Sequence, residues 1–120
     1  MIIELMRISV PQQHKQEFSK ALASLVSPLQ LQPGCLSSQL SQAWPNQNGL
    51  YVEARWENEE YLAHYLRSQA YKRLLLLIEL SAGPPVVEFF KVLQIRGLDL
   101  VEEVRSPADE PEQDPTGPGC

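Results

Sequence analysis

Residues 2–10 are dense in apolar and β-branched side chains and read as a strand that Pro11 ends. Over residues 12–27 the period changes. Phe18, Leu22, Leu25, Val26 and Leu29 recur at helical spacing, and Gln12, Gln13, Lys15, Gln16 and Lys20 supply a solvent face. Pro28 and then Pro33-Gly34 close this helix. Residues 35–43 alternate weakly, with Leu36 and Leu40 on one face and Ser37, Gln39 and Ser41 on the other. Residues 44–49 form a turn of strong punctuators. Residues 50–57 alternate most clearly: Leu50, Val52, Ala54 and Trp56 share one face, and Tyr51, Glu53, Arg55 and Glu57 the other.

Asn58 is a good N-cap, and Glu59 and Glu60 suit the positive end of a helix dipole. The helix carries Tyr61, Leu62, Tyr65 and Leu66, breaks near Ser68-Gln69, and resumes over 71–80. Residues 81–85 make a turn, and 86–93, rich in Val and Phe, are a last strand. In 94–104 the apolar residues Ile95, Leu98, Leu100, Val101 and Val104 must pack somewhere, as an extra edge strand or as an arm laid on a partner subunit. Residues 106–120 hold four of the ten prolines and several acids, and they are expected to form a disordered tail behind a single domain of residues 1–105.

The order β-α-β-β-α-β predicts an α+β, ferredoxin-like fold, a four-stranded antiparallel sheet with its helices on one face. The bare face needs a cover. A second copy of the same sheet is the simple one, so a homodimer is expected.

A chain of 120 residues suits one domain and can bury a core without metals or disulfides. The net charge of -5 argues against a nucleic-acid binder, which needs a basic face, and against an anionic membrane as partner. The longest apolar run, residues 74–78, is too short to span a bilayer. Glu4 and Arg7 within the first apolar stretch do not fit a secretion signal, and the default expectation is a cytoplasmic location. Cys35 and Cys120 are not expected to pair, and no Cys/His cluster has zinc-ligand spacing. No nucleotide or flavin fingerprint and no P-loop is present, so no cofactor is expected.

Candidate chemistry rests on few residues. Trp56 at a strand end can line a pocket between sheet and helices and stack on a flat aromatic, or it can be a core residue. Tyr61, Tyr65 and Tyr71 each offer a phenol to a substrate oxygen, although amphipathic packing also explains them. His64 has the pKa range of a general base, but its register points to an exposed position; His14, among Gln and Lys, reads as solvated. Leu74 and Ile78 bound a run that either walls an apolar pocket or belongs to a helix buried on several sides. Arg7, Glu53 and Arg55 either bind an anion or pair with one another across a dimer. Cys35 reads as a small buried hydrophobe.

The stretches Pro33-Gly34-Cys35-Leu36, Glu53-Ala54-Arg55-Trp56-Glu57-Asn58 and Pro84-Pro85-Val86-Val87, with a bent second helix over 61–77, resemble the antibiotic biosynthesis monooxygenase family of dimeric α/β barrels. The resemblance covers roughly residues 1–93 and implies the same fold and a homodimer. It implies chemistry less specifically, because the family includes cofactor-independent oxygenases of quinols and polycyclic aromatics, haem-degrading enzymes and small-molecule isomerases. Two positions where many members resemble one another in carrying His hold Tyr65 and Ala70 here, and Gln69 replaces a usual Pro. Tyr65 thereby becomes the leading catalytic candidate. The haem-degrading pattern falls on Met6, Tyr65 and Leu75, none of which suits that reaction. The expected function is monooxygenation of a small quinol-like or polycyclic aromatic compound. The alternatives are a non-catalytic dimeric binding protein for a small apolar or aromatic molecule, or an isomerase of a small carbonyl metabolite.

Overall fold

The computed structural model describes residues 1–43 and 48–107. Most of the turn expected at 44–49, and the tail from residue 108 onward, lie outside the described residues. The chain runs β1 (Ile2–Ser9), α1 (Lys15–Val26), a 3-10 turn (Ser27–Leu31), β2 (Cys35–Gln42), β3 (Gly49–Trp56), α2 (Glu59–Leu66), α3 (Gln69–Ile78), β4 (Val86–Lys91) and α4 (Leu98–Arg105). The strands form one sheet in the order β2-β3-β1-β4, every neighbouring pair antiparallel. This is the ferredoxin-like α+β fold expected from the element order.

Strand periodicity sets the two faces. In β1, Ile2, Glu4, Met6 and Ile8 are buried and the residues between them are more exposed. In β3, Leu50, Val52, Ala54 and Trp56 are buried in the same way. The two strands pair Ile2 with Trp56, Glu4 with Ala54 and Met6 with Val52, so their buried sets fall on one face. Against that face lie Phe18, Leu22 and Val26 of α1, Leu29, Leu62 and Tyr65 of α2, and Tyr71, Leu74 and Ile78 of α3.

The break between α2 and α3 is held by a single hydroxyl. Ser68 Oγ donates to the Tyr65 carbonyl at 2.6 Å and accepts from the Tyr71 N–H at 3.2 Å, so it ends one helix and caps the next. Asn58 caps α2 as its sequence suggested, its Oδ1 accepting from the Tyr61 N–H at 3.0 Å. α1 starts three residues later than its periodicity suggested, because His14 stands before it in a left-handed conformation with φ 61.

The second sheet face carries Ile3, Leu5, Tyr51 and Phe90, which lie outside the buried core of the described residues. Within the chain Arg55 Nε donates to Glu53 at 3.2 Å. The Arg7 guanidinium lies 6.0 Å from the centre of the Tyr51 ring.

Residues 94–104 depart from one of the two expectations. No extra edge strand forms; residues 98–105 are helix α4. Leu98, Val101 and Val104 recur every third residue, which is a helical rather than an alternating period. Arg96 fixes the first turns by reaching Asp99 at 2.8 Å and Glu103 at 2.7 Å, and Asp99 Oδ1 accepts from the Gly97 N–H at 2.9 Å. No α4 residue is buried. The Leu74–Ile78 run is likewise not buried on several sides: Leu74 and Ile78 face the core, while Leu75 and Leu76 are exposed. Among the described residues no helix is long and apolar enough to cross a membrane.

Gly34 joins the 3-10 turn to β2 with φ 80, and a Cβ there would fall on the Tyr61 ring. Its carbonyl accepts from the Glu57 N–H at 2.8 Å, which ties the turn to the end of β3. Gly34→Ala is therefore expected to lower unfolding free energy by more than ~1 kcal/mol, through both the left-handed backbone and the clash. Urea unfolding of the two proteins measures this, and an unchanged midpoint would refute it.

Candidate functional site

Trp56 ends β3 on the helix side of the sheet and is 0% exposed. The Tyr65 ring of α2 stacks on it, with centroids 4.8 Å apart and planes 23° from parallel. Tyr71 of α3 meets Tyr65 edge to face at 5.2 Å. The Ser68 hydroxyl that bends the chain between the helices sets the relation of the two tyrosines. Leu74 and Ile78 continue the same buried face of α3.

Beneath this aromatic wall is a residue that the sequence pattern alone did not single out as a site. Glu4 is 3% exposed, on the central strand, between Ala54 of β3 and Phe89 of β4. None of the ion pairs among the described residues involves it. Burial pushes its carboxyl pKa up from 4.5 to about 7, and the nearby Trp56 indole N–H offsets part of that rise. The indole falls short of a satisfying hydrogen bond: Trp56 Nε1 is buried without a partner. An orphaned donor thus lies beside a carboxyl that no cation balances. The pattern held a signal for this, because Glu4 sits in phase with Ile2, Met6 and Ile8.

The surrounding groups respond to the same environment. Burial, and then the charge of Glu4, push the Tyr65 phenol well above its ordinary range; the same causes take Tyr71 to about 12. Both are neutral donors near pH 7. Cys35, paired across from Trp56 on β2, also has its thiol pKa raised, by burial first and with Glu4 contributing. The site therefore contains one group, Glu4, that changes charge near neutrality.

Two of the sequence candidates lie elsewhere. Tyr61 and His64 line an open cavity of about 520 Å³ with Pro33, Asn58 and Glu60, on the outer side of α2. His64 is exposed, as its register indicated, and Tyr65, the next residue, is buried. No group of three or more His, Cys, Asp or Glu side chains among the described residues is placed to hold a metal ion.

An antiparallel ferredoxin-like sheet with a carboxyl and three aromatic rings enclosed beneath its helices defines a class of small α+β domains with an interior polar site. The chain belongs to the antibiotic biosynthesis monooxygenase family, whose model matches residues 1–75. Solved structures share the fold. Rv0793 from Mycobacterium tuberculosis superposes with a TM-score of 0.72 at 18% identity, over 80% of this chain and 98% of that one. A conserved protein from Methanosarcina mazei gives 0.69 at 23% identity, over 75% and 90%. PA3566 from Pseudomonas aeruginosa gives 0.68 at 18%, over 78% and 94%. No curated protein matches the chain.

Glu4 has a consequence for stability. From about pH 4.5 to about 7 the unfolded chain releases this proton while the folded chain keeps it, so stability falls as pH rises through that window. The loss is roughly 3 kcal/mol at most, because each tenfold difference in proton affinity between the two states is worth about 1.4 kcal/mol. Glu4→Gln is therefore expected to melt above the parent protein at about pH 8, with the difference largely gone near pH 5. Thermal unfolding at both pH values tests this, and an equal gap at each would rule it out.

Proposed function

We propose that this chain is a cofactor-independent monooxygenase of a small quinol-like or polycyclic aromatic compound, acting as a homodimer. One observation carries the reading: Trp56, Tyr65 and Tyr71 form a continuous aromatic wall between the sheet and the paired helices α2 and α3. Such a wall suits a flat ring system, with Leu74 and Ile78 as its apolar continuation. Family membership supports the same reaction class.

In this chemistry the substrate is its own reductant. Loss of an O–H proton leaves a quinol anion, which passes one electron to dioxygen. The resulting semiquinone and superoxide combine through a new C–O bond at a ring carbon. Cleavage of the O–O bond, with loss of the ring C–H proton, releases water and leaves a hydroxyquinone. The protein has to exclude water, accept a proton and offer donors to the developing anion. Tyr65, a neutral phenol held in the wall, suits the donor role. His64 sits on the outer side of α2 and lines the cavity there with Tyr61.

One observation favours a second reading, a dimeric binding protein without turnover: Trp56 has no exposed surface and lies flat against Tyr65. Glu4 also supplies the buried carboxyl that an isomerase of a carbonyl compound would need.

The test is oxygen uptake with naphthohydroquinone and metal-free protein, with the products separated. The oxygenase yields hydroxynaphthoquinone carrying one atom from isotopically labelled dioxygen, whereas uncatalysed oxidation gives naphthoquinone and peroxide. Tyr65→Phe should lower the rate by about 10-fold or more, in the range for loss of one donor to a developing anion. Absence of the hydroxylated product above background would exclude the oxygenase. The homodimer predicts a light-scattering mass of twice 13.6 kDa, and a monomer mass would exclude the barrel.

A further inference from the structure

We propose that Glu4 is the proton acceptor of this site, and that its carboxylate and the Trp56 indole N–H together bracket one hydroxyl of a neutral hydroxyaromatic substrate. This rests on the aromatic pocket proposed above and adds the residue that starts the reaction and the ionic form that the pocket accepts.

Two unmatched groups carry the argument. Glu4 is a carboxyl that is 3% exposed and has no cation against it, and Trp56 Nε1 is a buried donor with no partner. A native fold leaves few such groups, and each asks for an explanation. A hydroxyl has one proton to donate and lone pairs to accept, so a single phenol or quinol O–H satisfies both: it donates to Glu4 and accepts from Trp56. After transfer, Glu4 is neutral and the substrate oxygen carries the charge beside the Trp56 N–H. The O–H bond breaks, the proton goes to a Glu4 oxygen, and the net charge of the site is unchanged.

The same accounting sets the substrate class. The charged and titratable groups that face Glu4 are Cys35 from β2, Tyr65 from α2 and Tyr71 from α3, all neutral near pH 7. Lys91 of β4, on the same side of the sheet, is engaged by Glu59 at 2.8 Å. An anionic substrate would place a second negative charge beside ionised Glu4 with no cation to offset it. A neutral hydroxyaromatic brings no charge until the proton moves.

The sheet edge beside Glu4 is the side open to solvent. β4 is exposed at five of its six positions, and Phe89, directly across from Glu4, is 45% exposed. Glu4 lies one strand in from that edge. A carboxyl titrating at about 7 is ionised often enough to accept a proton and basic enough to hold it.

The test uses naphthol, a fluorescent photoacid whose neutral and ionised forms emit at different wavelengths and which passes its excited-state proton to a base in contact. With the full chain above pH 7, bound naphthol should emit as the anion; below pH 5, and in Glu4→Gln at either pH, it should emit as the neutral form. Trp56→Phe keeps the ring and loses the N–H, and should weaken naphthol binding while leaving the pH midpoint of the emission change near that of Glu4. With naphthohydroquinone, Glu4→Gln should lower kcat by ~10²-fold or more with KM little changed. Neutral emission from the parent protein above pH 7, anion emission that survives in Glu4→Gln, or no binding of naphthol would each overturn the assignment. Anion emission dependent on Glu4 without quinol turnover would uphold Glu4 as acceptor and reject the oxygenase, so the two readings fail separately.

Discussion

The register between β1 and β3 is the constraint on which the rest depends. These are the central strands, and side chains alternate across them with a period of two. A slip of one residue would turn Ile2, Met6, Ile8, Leu50, Val52 and Trp56 away from the helices together. The cost of exposing that set holds the register, and the register places Glu4 opposite Ala54 and one step from Trp56. A carboxylate on an otherwise apolar strand face is thereby carried into the interior by its neighbours, since the strand cannot present Ile2 and Met6 inward without Glu4 between them.

That placement joins stability to chemistry. An unpaired buried carboxyl lowers stability once it ionises, and a fold selected for stability alone would fill the position with an apolar residue. Here the cost is localised. Trp56 offers an N–H without closing a hydrogen bond, and the tyrosines remain neutral. What results is a buried carboxyl whose pKa is pushed up to about 7, enclosed by rings.

Apolar exposure among the described residues concentrates in two places. Phe90 on the second sheet face and Leu98, Leu100, Val101 and Val104 of α4 are exposed in the single chain. α4 keeps its shape without packing, because Arg96 spans Asp99 and Glu103 across its first turns. It also follows β4, the edge strand that pairs with β1 beside Glu4.

The sequence by itself determined the element order, the strand faces and the helix break at Ser68, because each follows from local period or capping chemistry. It also determined that Trp56 and Tyr65 point inward and His64 outward, since adjacent helix positions lie about 100° apart. Between an edge strand and an arm it left residues 94–104 open; residues 98–105 form a helix, at whose start Arg96 meets Asp99 and Glu103. The site was decided by the tertiary structure. That Glu4 lies inward is readable from phase. That it has no cation among the described residues, that it is buried with rings far along the chain, and that Trp56 Nε1 has no hydrogen-bond partner are properties of which strands and helices meet. Local spacing does not encode such meetings, because they depend on sheet order and on side chains distant in sequence.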